Sequence, residues 1–215
     1  MGMKKSLLCW GSVGCSVAVF TMLLLGCGTR AEVASTSPAS LQNRQAAPST
    51  SLDEVERLNE EVVSFYRAGR YAEAIPPAER ALQIGEKALG PEHLEVSTSL
   101  NNLALLYVAT GDYAKAEPLL QRALQMREKA LGPEHLTVAT SLTNLAELYR
   151  TTGDYAKAEP LYQRALRIEQ KALGPEHPTV AVSLNTLALL YVATGDYAKA
   201  EPLLQRALGR RGREE

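Results

Sequence analysis

SLNNLALLYVATGDYAKAEPLLQRAL, residues Ser99 to Leu124, returns as SLNTLALLYVATGDYAKAEPLLQRAL at Ser183 to Leu208. The two stretches differ at one position, Asn102 against Thr186. A third copy, Ser141 to Leu166, lies midway between them. A divergent copy runs from Arg57 to Leu82, with arginine where the others have serine. The steps from Ser99 to Ser141 and from Ser141 to Ser183 are equal and set the period. Strong self-similarity at a period of roughly 20–50 residues signals a solenoid, because one repeat cannot bury its apolar face alone.

Within one unit the spacing is helical. Val96, Leu100, Leu103, Ala104 and Tyr107 fall at i, i+4, i+7, i+8 and i+11, one stripe of a helix. Gly111-Asp112 then breaks the pattern. Asp112 suits the N-cap of a second helix starting at Tyr113. Ala116, Leu119, Leu120, Ala123 and Leu124 make the stripe of that helix, with alanines small enough for close approach. Gly132 ends it and Pro133 blocks continuation. Each second helix also carries a proline in its second turn: Pro118, Pro160 and Pro202, with Pro76-Pro77 in the first unit. A missing backbone donor there predicts a structural bend. At the front, Ser51 with Glu54 predicts a capping box for the first helix.

These residues resemble the tetratricopeptide repeat. The family's small and aromatic positions fall on Leu100, Leu103, Ala104, Tyr107, Gly111, Tyr113, Ala116, Leu120 and Ala123, and recur in the same frame one and two periods on. The long period, the LNNLA core and the LGPEH joint are similar to the kinesin-light-chain and nephrocystin type. The resemblance implies an all-α fold, a right-handed superhelical solenoid of four helix-turn-helix units. Residues 52–209 would hold them, as units of about 52–90, 94–132, 136–174 and 178–209. The first unit departs from the pattern, with Glu61 for leucine, Val62 for alanine, Phe65 for tyrosine and Ala78 for the large residue. A terminal repeat is expected to be atypical. At the other end GRRGREE replaces the helical continuation, and residues 210–215 read as a polar tail. Solenoids need polar caps. Either the arginines and Gln205 cover Leu203, Leu204 and Leu208, or two chains meet end to end as a homo-oligomer, or the reading frame has ended early.

The resemblance also implies a binding face, because the first helix of each unit lines a concave surface in this fold. The inward positions are Glu56, Asn59, Glu60, Val63 and Tyr66 in unit one, and Thr98, Asn101, Asn102, Leu105 and Val108 in unit two. Unit three gives Thr140, Thr143, Asn144, Glu147 and Arg150, and unit four Val182, Asn185, Thr186, Leu189 and Val192. The candidate partner-binding set is Asn101, Asn102, Leu105, Asn144, Glu147, Arg150, Asn185 and Leu189. A side-chain amide both donates and accepts, so it can pair with the backbone of an extended peptide. Three structural roles compete with that reading. The asparagines can bond within the solenoid, Leu105 and Leu189 can pack against neighbouring helices, and Glu147 with Arg150 can form an ordinary i, i+3 pair. Lysines for a carboxylate clamp are missing, so binding of acidic C-termini is not expected.

LGPEH, at Leu89–His93, Leu131–His135 and Leu173–His177, holds all three histidines. Three Glu-His pairs at equal intervals invite a metal or acid-base reading. Zinc needs each ring nitrogen within about 2.1 Å of one ion. Equivalent places in stacked units lie roughly 8–10 Å apart, so three cannot converge. The motif reads as a joint, with its glutamate favoured at a helix start. No metal and no cofactor are expected. There is no GxxxxGK[ST], no GxGxxG and no CxxC, and no Ser-His-Asp set can be proposed, so the chain reads as a non-enzyme.

The chain has 215 residues, a net charge of -1 and a pI near 6.3, which offers no footprint for nucleic acid. Its three cysteines, Cys9, Cys15 and Cys27, all lie at the front of the chain, leaving no disulfide framework for the rest. Lys4 and Lys5 precede an uncharged, mostly apolar run from Ser6 to Gly26, the layout of a secretory signal. Leu24-Leu25-Gly26-Cys27 resembles the lipobox of bacterial lipoproteins. That implies a signal peptide over 1–26 and lipidation of Cys27, with Gly28 favouring the outer membrane over the inner. Three rivals stay open: N-myristoylation from Met1-Gly2 with Ser6, an uncleaved membrane anchor and plain secretion. Residues 27–51 complete the lipidated terminus and a flexible tether rich in Ser, Ala, Thr and Pro, spanning about 25–30 Å. The whole predicts a lipid-anchored scaffold on the periplasmic side of a bacterial envelope. Its groove would bind a peptide or helix of another protein. The alternative is a structural self-assembling protein.

Overall fold

The computed structural model describes the backbone of residues 48–211 and the side chains of 51–209. Cys27, expected to carry lipid, the expected signal sequence and the end of the polar tail lie outside the described residues. Among the described residues there are eight helices and no strand. They are α1 (Pro48–Arg67), α2 (Tyr71–Leu89), α3 (Leu94–Thr110), α4 (Tyr113–Leu131), α5 (Leu136–Thr151), α6 (Tyr155–Leu173), α7 (Pro178–Ala193) and α8 (Tyr197–Arg211). Each helix packs on its neighbours in sequence, and the first helices α1, α3 and α5 also touch in succession. Contact confined to neighbouring units is the mark of a solenoid.

The repeated alanines and leucines form the core. Ala74, Ala116, Ala158 and Ala200 of the second helices and Ala104, Ala146 and Ala188 of the first are buried. Leu100, Leu142 and Leu184 have no exposure at all. Arg122 of α4 reaches back to Glu86 of α2 at 2.6 Å, and Arg164 of α6 to Glu128 of α4 at 2.5 Å. These half-exposed bridges add little energy each, about 0–1 kcal/mol, but they repeat with the unit.

The joints have a geometry that LGPEH dictates. Gly132 sits at φ 87° and ψ 154°, a region essentially restricted to glycine, so it stops α4 and turns the chain. The histidine then caps the next helix. His93, His135 and His177 each accept a hydrogen bond at Nδ1 from the backbone N–H two residues on, at 3.2, 3.1 and 3.2 Å. The glutamates of the first two joints pair with lysines near the ends of second helices: Glu92 with Lys129 at 3.0 Å and Glu134 with Lys171 at 2.9 Å.

Four boundary expectations change. Helix α1 begins at Pro48, so residues 48–51 belong to the helix and not to the tether, and Ser51 lies inside its first turns and not at a cap. Proline suits a first helical position because its missing N–H is unneeded there. At the far end α8 runs to Arg211, which takes Arg210 and Arg211 out of the polar tail. It is shorter than α4, with 15 residues against 19. Asp112 makes no side-chain cap bond and pairs instead with Lys115 at 2.7 Å, whereas Asp154 accepts from the Lys157 N–H. The second helices continue through Pro118, Pro160 and Pro202.

Candidate binding face of the first helices

The eight proposed contact residues divide into three environments. Asn101, Asn102, Leu105 and Asn144 are buried, at 6, 8, 2 and 3 % exposure. Asn144 Nδ2 donates to Asn101 Oδ1 at 2.8 Å, which links α5 to α3. The asparagine pair therefore takes the structural alternative, bonding within the solenoid. The cause is the stacking of α5 on α3, which covers the flank that carries these side chains.

Glu147 and Arg150 are half-buried and bond to each other through both carboxylate oxygens. A third residue joins them. Tyr162 of α6, itself buried, donates its hydroxyl to Glu147 Oε2 at 2.5 Å. Burial, reinforced by the Glu147 charge, pushes the Tyr162 phenol far above its ordinary value. Units two and four have leucine, valine and leucine at these three places: Leu105, Val108 and Leu120, then Leu189, Val192 and Leu204. The three replacements in unit three thus form one bonded cluster. Spacing alone shows Glu147 with Arg150. The tyrosine comes from another helix and could be found only by aligning the units and asking which differences coincide.

Asn185 is half-buried and Leu189 is 46 % exposed. Val182 at 38 % and Val192 at 39 % extend the same face of α7. The accessible part of the candidate set is therefore Asn185 and Leu189, while the Glu147–Arg150 pair is half-buried and bonded to itself and to Tyr162.

Two further patterns are not evident from spacing. Tyr107, Tyr149 and Tyr191 each donate a hydroxyl to a glutamate of the preceding second helix, Glu79, Glu117 and Glu159, at 2.8, 2.7 and 2.8 Å. Lys115, Lys157 and Lys199 sit over the same tyrosine rings, 5.0–5.1 Å from the centroids. A cleft of 180 Å³ beside Tyr149 is lined by Tyr113, Glu117, Asp154 and Lys157. Its charged groups are already paired, so it serves the packing of successive units. The second pattern is a column of buried polar residues at the joints, Arg127 and Glu169. Among the described residues no group of three or more His, Cys, Asp or Glu is placed to hold a metal ion. No described helix is long and apolar enough to cross a membrane.

A family model for the tetratricopeptide repeat matches residues 58–129, 109–170 and 137–211. The chain belongs to the tetratricopeptide-repeat family. No curated protein sequence matches it. Solved tetratricopeptide-type structures do. BtubC (BKLC) from P. vanneervenii is 26 % identical, with a TM-score of 0.71 over 80 % of this chain and 68 % of its own. A putative kinesin light chain with nearly identical TPR-like repeats from Podosopora anserina is 28 % identical, with a TM-score of 0.67 over 79 % and 78 %. The apo form of RapI, 17 % identical with a TM-score of 0.65 over 75 % of this chain and 57 % of its own, shares the fold. The tetratricopeptide fold is in general a non-catalytic scaffold for protein–protein interaction, and many unrelated partners are bound on it.

Proposed function

We propose that the chain is a lipid-anchored adaptor of a bacterial envelope, held at the periplasmic side of a membrane through Cys27. The first-helix face of its solenoid takes a peptide or helix of another protein and keeps that protein near the membrane. The observation that carries the reading is the contrast on that face. Leu189 is 46 % exposed with Val182 and Val192 beside it, while Leu105, in the same sequence context, is buried. Contiguous apolar exposure on a soluble domain marks an interaction surface. Asn185 lies within the stripe and supplies a donor and an acceptor for a peptide backbone.

Two measurements test the two halves. In the first, the full chain and a Leu189→Asp, Val192→Asp variant serve as baits on envelope extract. Both residues are exposed, so the variant is expected to fold, as its circular dichroism can verify, and to lose the proteins the native bait retains. Recovery of the same proteins by both baits removes the groove reading. In the second, Cys27→Ala is expected to release the chain from the membrane fraction. A variant that still sediments with membranes removes the lipid anchor. Self-association through the same exposed face is the second reading, favoured by the same three residues. A mass in solution that rises with concentration would replace the adaptor with a self-assembling protein.

A further inference from the structure

Residues 85, 127 and 169 occupy one column of the repeat, one period apart, on the side of the second helix that meets the next unit. Their side chains differ in kind: glycine, arginine, glutamate. Gly85 is buried, and the Ser99 hydroxyl of α3 beyond it has no hydrogen-bond partner. Arg127, 5 % exposed, fills the equivalent place in α4. Its Nε donates to Ser97 Oγ at 3.1 Å and its terminal nitrogen to Ser141 Oγ at 2.8 Å, so it ties α3 to α5.

Glu169 of α6 is in the same place between units three and four and is 7 % exposed. The hydroxyl of Ser183 on α7 is its hydrogen-bond partner. Its other oxygen, Oε2, is buried with no partner. Ala139 stands where unit two has Ser97, so the second hydroxyl is missing. Helix α6 packs chiefly on α5 and α7, and also meets α4 through Arg164 and Glu128, which pair with each other, while Arg127 of α4 is held by Ser97 and Ser141. Helix α7 carries no charged side chain, and the charged residues of α5, Glu147 and Arg150, are bonded to each other and to Tyr162. No cation is therefore committed to Glu169. A buried carboxylate without a counter-charge costs far more than the neutral acid.

We infer that the joint between units three and four is a proton-controlled hinge. With Glu169 protonated, α7 and α8 stay docked on α6. When it ionises, the docking weakens and the equilibrium shifts toward an open unit four, in which the Asn185–Leu189 face leaves its line with units two and three. The last consequence rests on the binding face proposed above; the hinge itself does not.

Burial pushes the Glu169 carboxyl up to about 7, against the opposing hydrogen bond from Ser183. An acid whose folded value is raised is most favourable when protonated. The joint is therefore strongest below the ordinary carboxylate range, weakens as pH rises toward about 7, and is level above that. Between pH 5 and 8.5 the opening equilibrium should rise roughly tenfold to hundredfold.

Hydrogen exchange of the full chain in detergent micelles reads this without any partner. Protection of amides in α7 and α8, taken relative to α3 and α4 and corrected for intrinsic rates, should fall by that factor between the two pH values. In E169Q it should change less than twofold. The double variant A139S/E169R, which copies the Arg127 joint, should be equally flat. A native ratio that does not move with pH overturns the hinge, whatever the variants do. An E169Q response equal to the native one also overturns it. Because no partner is present, failure of the adaptor reading leaves this result standing, and the converse holds as well.

Discussion

Units two and four contain almost the same sequence and have different surfaces. Leu105 and Leu189 share identical neighbours along the chain, yet the first is 2 % exposed and the second 46 %. The difference is the helix pair that follows. Unit two is followed by the pair α5 and α6, whereas the described residues hold no further helix pair beyond α7 and α8. A side chain in a solenoid is core or surface according to its position in the stack, not according to its own unit. This is the one-dimensional, nearest-neighbour behaviour expected of repeat proteins.

The comparison breaks most directly at the two leucines. Leu105→Ala should cost about 2–5 kcal/mol, the usual range for a buried leucine that leaves a cavity. Leu189→Ala should stay within about 0.5 kcal/mol, as at other surface positions. Denaturant melts of the two variants check this, and equal losses would mean that α7 is covered in solution.

The joints give the next contrast. Burial holds the Arg127 guanidinium down to about 10, above the range of ordinary measurements. A base with a lowered folded value gains stability only as pH rises through about 10, so its joint is flat from pH 5 to 8.5. The Glu169 joint is not. E169Q should therefore raise stability by about 1–3 kcal/mol at pH 8.5 and by little at pH 5. Arg127→Met should change stability by about 1 kcal/mol or less at both, because a buried charge replaced by a hydrophobe is often neutral. Chemical denaturation at the two pH values distinguishes the joints.

The smallest effect concerns the caps. His135→Ala should cost about 1 kcal/mol by leaving the Thr137 N–H without its acceptor, and His135→Asn should restore most of it. Thermal melts of the two variants suffice, and equal losses would show that the imidazole is not acting as a cap.

The fold was legible because four units repeat the same small and apolar residues, and spacing in a helix maps directly onto a face. Gly132 and Pro133 marked the joint from sequence alone. The role of the histidines was only half legible. Their place at a helix start followed from the repeat, but capping through Nδ1 depends on a side-chain torsion that spacing does not specify. The candidate site was less legible still. Asn101, Asn144 and Leu105 are buried in the stack, because exposure depends on what packs against the helix that carries them. Resemblance assigned the position and could not assign the accessibility. Glu169 and Arg127 went unnoticed because both read as ordinary solvated charges in amphipathic helices. Their signal was available in the alignment of units, where one column changes from glycine to arginine to glutamate.

That column also bears on how the chain finds its register while folding. Contacts between neighbours in sequence let any unit form first, so near-identical units present near-identical docking surfaces to a growing stack. Apolar residues cannot distinguish the second unit from the fourth. The polar column can, because the α5 surface meets an arginine that both Ser97 and Ser141 satisfy, while the α7 surface meets a single carboxyl. An out-of-turn pairing would leave one of these buried groups with the wrong complement of hydroxyls. Arg127 and Glu169 thus help to number the units, which the shared alanines and leucines leave interchangeable.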